Sequence, residues 1–167
     1  MVPTDTSADA PVLFFDSGVG GLSILAPARA FELFAGRIGT WWPGSTVGAQ
    51  KHANIVIEPV VGGRVYEVDG DGDETTWGAV LAWDPPGRLL IDWQLGEGWK
   101  YDERCHTDVE VTFEALASGG TRVTLTHGRL EGFGVIAEDR AAQLRGGWPS
   151  KVAAFGEFVD AVVAAQS

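Results

Sequence analysis

Residues 146–163, GGWPSKVAAFGEFVDAVV, place apolar side chains at Trp148, Val152, Phe155, Val159 and Val162. Steps of four, three, four and three draw one stripe along a helix. Pro149 suits a helix start, and Gly146–Gly147 reads as a break after the shorter segment AEDRAAQL. A long helix with one apolar side needs a surface to cover.

The residues upstream supply that surface. From about residue 53 the pattern turns to period two, and ANIVIEPV, GRVYEV, TTWGAVLAW, RLLIDWQL, TDVEVTFEAL and TRVTLTHGRL read as six strands. VGG, DGDGDE, DPPG and ASGG punctuate them with turn chemistry. Short connections between consecutive strands predict an antiparallel meander. PVLFF near the start also has strand character. APARAFELFAG reads as a helix with Ala30, Phe31 and Phe34 on one face, and RIGTWWPG as a short helical piece stopped at Pro43. The expected fold class is α+β: a curved antiparallel sheet covered by the C-terminal helix. Residues 1–10 are expected to form a loose tail and residues 11–167 a single domain.

Charge narrows the partners. The chain has 167 residues, a net charge of −11 and a pI near 4.5. A nucleic-acid or anionic-membrane footprint would be basic, so neither partner is expected. No apolar run is long enough to span a bilayer, and the acidic start MVPTDTSADA lacks the positive region of a signal peptide. A soluble cytoplasmic protein is the expectation. Cys105, the one cysteine, excludes an intrachain disulfide.

Five segments in order carry a wider resemblance: APARAFELFAGRIGTWWPG, EPVVGGRVYE, WGAVLAWDPPGRLLIDW, TDVEVTFEALASGGTRVTLTHGRLEGFG and GGWPSKVAAFGEFV. Together they resemble the bacterial proteins related to the activator of the heat-shock protein 90 ATPase, within the START-like (SRPBCC) superfamily. The resemblance runs from about Ile24 to Val163, and GGRVYE, the DPPGRL hairpin and the Gly-Trp before the last helix are its most specific pieces. It implies a helix-grip fold, in which the sheet wraps the long helix and leaves a cavity that often takes an apolar small molecule. Relatives of this kind include enzymes, lipid carriers and chaperone-binding proteins, so fold alone does not give function. The family runs one continuous first strand, whereas Gly18, Gly20 and Gly21 interrupt it here.

That interruption, FFDSGVGGLS, is also similar to the signature of glutamate racemase, with Asp16 and Ser17 at the matching positions. Racemisation of this kind uses two thiols, and the chain has one. Racemase activity is expected to be absent, which a circular-dichroism assay with Cys105 intact checks. DGDGDET spaces Asp69, Asp71 and Asp73 like a calcium loop, but Glu74 stands where that loop needs Gly and Val80 where it needs Glu. An acidic hairpin tip is the better reading. Cys105–His106, with His52 and His127 elsewhere, lacks zinc-site spacing, and no metal or cofactor is expected.

Alternation assigns the faces. Leu89, Ile91 and Trp93 share one side, as do Val109, Val111 and Phe113, and Val123, Leu125 and His127. TTWGAVLAW is apolar on both faces and leaves its register open. The expected cavity is lined by Tyr66, Trp93, Phe113, His127 and Trp148 and capped by Trp42. His127 is either a hydrogen-bonded core histidine or the polar anchor of a ligand. The expected partner is a hydrophobic or aromatic small molecule with one polar group. A chaperone-interacting module, a homodimer, and a cyclase or hydrolase using His127 with a carboxylate are the competing readings. No catalytic residue is assigned.

Overall fold

A computed structural model describes residues 13–16, 25–44 and 46–166. Seven strands form one antiparallel sheet: β1 (Leu13–Asp16), β2 (His52–Ile57), β3 (Arg64–Asp69), β4 (Glu74–Asp84), β5 (Arg88–Trp93), β6 (Thr107–Ala115) and β7 (Thr121–Gly128). Their order is β1-β7-β6-β5-β4-β3-β2. The six strands read from the alternation are β2 to β7, and they form the expected meander. The early apolar run adds β1 at the far edge, where Leu13 pairs with His127 and Asp16 with Thr124. The proposed tail, Ser17 and the three glycines after it lie outside the described residues.

Each inward row follows from period two. Leu89, Ile91 and Trp93, then Thr107, Val109, Val111 and Phe113, then Val123, Leu125 and His127 are all buried. The open register of β4 is settled by irregularity. Pairing shifts between Val65 and Tyr66 on one side and between Val80 and Ala82 on the other. Trp77 and Val80 point inward as a result, while Leu81 is exposed. Gly78 permits the close approach of β5, since a Cβ there would lie 1.9 Å from the Asp92 carbonyl oxygen. At the β3–β4 tip the Asp69 carboxylate accepts the N–H groups of Asp71 and Asp73 at 2.9 and 3.0 Å, the turn chemistry of an acidic hairpin.

Helix α1 (Pro27–Phe31) begins on its proline, passes through a π-helical turn at Glu32–Gly36 and leads into α2 (Ile38–Trp41). The C-terminal helix α3 spans Ala137–Ala165 without interruption. The expected break at Gly146–Gly147 is therefore absent, and Pro149 lies inside the helix. A proline there removes one backbone hydrogen bond and crowds the carbonyl four residues back. The two glycines just before it carry no Cβ to resist the adjustment, and Leu144 and Trp148 are buried on either side of them, so packing holds the helix together.

The stripe read from the sequence faces the sheet: Trp148, Phe155 and Val159 are buried, with Val152 and Val162 packed at its margins. Phe155 meets Phe34 edge-on, centroids 5.1 Å apart, and Trp41 at 5.1 Å. One ring thus joins α3 to the early helices. Phe155→Ala is expected to cost about 3–5 kcal/mol, for lost transfer energy and the cavity left behind. Urea titration measures it; a loss below ~1 kcal/mol would place the ring outside the core.

Candidate functional site

Four tryptophans from four elements close a ring at one end of the sheet. Trp42 follows α2, Trp77 lies on β4, Trp93 ends β5 and Trp148 sits on α3. Their successive centroids are 5.2, 5.6 and 5.4 Å apart, and 5.9 Å separates Trp148 from Trp42. Beside the ring opens a cavity of about 300 Å³. Trp42, Trp77, Trp93 and Trp99 line it, together with Leu95, Val47, Thr46, Gly98 and Lys151.

A buried carboxylate anchors three of the lining residues. Glu67 faces inward from β3 and is 2% exposed. It accepts the Thr46 hydroxyl at 3.2 Å, the Val47 N–H at 3.0 Å, the Gly48 N–H and the Trp77 indole N–H at 3.2 Å. Four donors on one carboxylate fix both the segment after α2 and the Trp77 ring. Trp99, another lining residue, is held by Arg140. This buried guanidinium stacks on Trp99, its carbon 3.7 Å from the ring centroid, and donates to the Gly96 carbonyl. Burial pushes its pKa down.

His127 lies behind the ring and is fully buried. The Thr107 hydroxyl donates to the Trp93 carbonyl at 3.1 Å, so it accepts from His127 Nε2–H at 2.8 Å. The Trp148 indole N–H then donates to His127 Nδ1 at 3.1 Å. Burial, aided by the Arg140 charge, pushes the imidazole down to about 3, so it is neutral. With both ring nitrogens engaged by protein, His127 orients Trp148 and does not line the cavity. Neither nitrogen meets the carboxylate that a His-based cyclase or hydrolase would need.

Two expected lining residues, Trp42 and Trp93, line the cavity; Trp148 packs against both without lining it, and His127 lies at their back. Two do not join them. Tyr66 points to the outer face, where the Arg64 guanidinium carbon lies 4.2 Å from its ring centroid. The reason is that unbroken alternation along β3 gives Val65 and Glu67 the inner positions, the adjacent register shift being taken up by β4. Phe113 does face inward, but Thr107 pairs with Trp93 and Phe113 lies six residues further along β6, roughly 20 Å away. There it packs on Phe31 and Phe34 at 5.2 and 5.8 Å.

Sequence reasoning missed Glu67, Arg140 and the cavity role of Lys151. Lys151 stands three residues after Trp148, on the shoulder of the stripe, and that spacing was its signal. Its Nζ lies 5.2 Å from the Trp42 ring centroid, and burial pushes its pKa down. Cys105 is buried, which raises its thiol pKa, while His106 turns out to Asp92 at 2.8 Å. The two side chains diverge and form no nucleophile–base pair.

The depressed His127 pKa has a consequence for stability. Its unfolded value is near 6.5, so below that pH the unfolded chain binds a proton that the folded chain refuses down to about 3. This contribution is complete above pH ~6.5 and is lost as pH falls toward 3, at up to about 1.4 kcal/mol per pH unit. The His127→Gln variant, measured by urea unfolding from pH 7 to 4, is expected to show a correspondingly shallower decline. Identical slopes would place the imidazole in contact with water.

Known proteins place the chain. The family model described as Activator of Hsp90 ATPase homolog 1-like protein matches residues 27–160. No curated protein sequence matches. Among solved structures, the anthrahydroquino-γ-pyrone synthase Txn09, complexed with SUM, is 34% identical, with a TM-score of 0.60 over 89% of this chain and 96% of that one. CalC, a self-sacrificing resistance protein from Micromonospora echinospora, is 26% identical, with a TM-score of 0.63 over 90% and 94%. Protein NE0264 from Nitrosomonas europaea shares the fold at 13% identity, with a TM-score of 0.63 over 89% and 94%. The chain belongs to the Activator of Hsp90 ATPase homolog 1-like family, on the helix-grip fold of the SRPBCC proteins.

Proposed function

We propose that this chain binds a planar polycyclic aromatic molecule in the tryptophan-lined cavity between the sheet and α3. The observation that carries this reading is the convergence of four indoles on one cavity of about 300 Å³. That volume stands at the small end of ligand sites, which suits two or three fused rings. Indole faces stack on such rings with more gain than aliphatic walls give. The identity with a synthase named for an anthrahydroquinone-pyrone product supports the same ligand class.

The same resemblance favours a second reading, in which the bound molecule is a substrate. Here the cavity would hold a precursor in a folded shape while a ring closes. Mass spectrometry of a ligand recovered after incubation separates the two readings: an unchanged mass and retention time mean carriage, a loss of water means cyclisation.

Titration with anthraquinone, followed by tryptophan emission, tests binding itself. Quenching that saturates is expected. Trp93→Leu should weaken binding by roughly tenfold, about 1.4 kcal/mol, through the lost ring contact. Trp83→Leu should leave it unchanged, since Trp83 packs on Phe31 at 4.9 Å and lies outside the cavity lining. Unchanged emission up to the solubility limit of the probe would defeat the proposal.

A further inference from the structure

We infer that Lys151 makes the cavity selective for aromatic ligands that carry an acidic hydroxyl, held as the phenolate against its ammonium. The inference rests on the proposed aromatic ligand and names the polar group that ligand must bear.

Lys151 is the one cationic side chain that lines the cavity among the described residues. Its Nζ lies 5.2 Å from the Trp42 ring centroid and has no carboxylate within ion-pairing distance among the described residues. That is notable in a chain with 23 acidic and 12 basic side chains. The buried carboxylate that anchors part of the lining, Glu67, is already saturated by Thr46, Val47, Gly48 and Trp77. A half-buried ammonium facing only an indole is under-compensated, because a cation–π contact returns less than a hydrogen-bonded anion.

An entering phenol corrects the imbalance. Its hydroxyl proton passes to the amine where the amine is neutral, or to solvent where it is already charged. Either route leaves phenolate beside ammonium, with atoms and charge conserved. A full carboxylate would also pair with Lys151, but it must be stripped of a larger hydration shell to enter a site walled by indoles. A phenolate spreads its charge into the ring system that the tryptophans stack on, so it is the better match.

Alizarin and its dimethyl ether test the idea, because alizarin changes colour on ionisation and the ether cannot ionise. Both are titrated into the intact protein at a pH where free alizarin is protonated. Alizarin is expected to bind with its red-shifted phenolate absorption, and the ether at least about tenfold more weakly. Lys151→Met should abolish the red shift and the preference together, while still binding the ether. Lys151→Arg should keep both, because the charge is kept. Far-ultraviolet circular dichroism checks that each variant is folded. Two results would overturn the inference: alizarin bound by the wild type without the red shift, or a preference that survives in Lys151→Met. If anthraquinone, alizarin and the ether all leave tryptophan emission unchanged, the cavity reading falls and Lys151 falls with it. If the ether binds the wild type as well as alizarin does, Lys151 alone is refuted.

Discussion

Trp148 can sit against the sheet because His127 accepts its indole proton. A buried indole N–H without an acceptor costs about 1–3 kcal/mol, a cost that His127 spares Trp148. The bond also dictates a neutral imidazole with its proton on Nε2, and that proton needs an acceptor of its own. Thr107 provides it and donates its own O–H to the Trp93 carbonyl. The chain of three bonds crosses α3, β7, β6 and β5, and it ties the Trp148 indole to the β5 backbone at Trp93. Trp148 in turn packs on the Trp42 and Trp93 rings that line the cavity.

A second chain does the same work from the opposite edge. Glu67 ties β3 to the segment after α2 and to Trp77, and so places the remaining side of the aromatic ring. The two chains differ in charge. The His127 chain is neutral and tolerates complete burial, whereas Glu67 is tolerable inside only because several donors meet it. Glu67→Ala would leave two backbone N–H groups and the Trp77 indole without this acceptor at once, while the Thr46 hydroxyl would keep the Gln50 carbonyl at 3.2 Å. One carboxylate thus positions several parts of the cavity edge.

The fold was legible because burial here is one-sided. Strands β5, β6 and β7 alternate cleanly, and the α3 stripe keeps its spacing across Pro149, so period alone assigned their faces. Legibility failed where two faces were both plausible. In GRVYEV an apolar residue occurs in each register, Val65 on one and Val68 on the other, and the choice turned on a carboxylate being inside. Alternation penalises Glu67 there and rewards Tyr66, which is backwards at a site built to hold charge. Phe113 failed for another reason: its face was right, but alternation says nothing about how far along a strand a residue lies from its neighbours' ends. Lys151 was passed over because a lysine on a helix shoulder reads as solvated until the wall beside it is known.

Not every polar group in the aromatic ring is paired. The indole nitrogens of Trp42 and Trp93 are buried with no acceptor among the described residues, and Arg140 leaves its Nε and Nη1 in the same condition. Such groups are rare in folded proteins because each sacrifices its hydration for nothing. All three residues stand at or behind the cavity, and the well-paired strands β6 and β7 contribute none of them. The ring is thus held by stacking against an unfavourable polar balance, whereas the core around Phe155 is held by apolar packing alone. Filling the indole nitrogens' surroundings with apolar side chains would stabilise the fold, and it would also erase the shape that makes a cavity. Tight packing and an open cavity are opposed at this end of the sheet, and the sequence keeps the cavity.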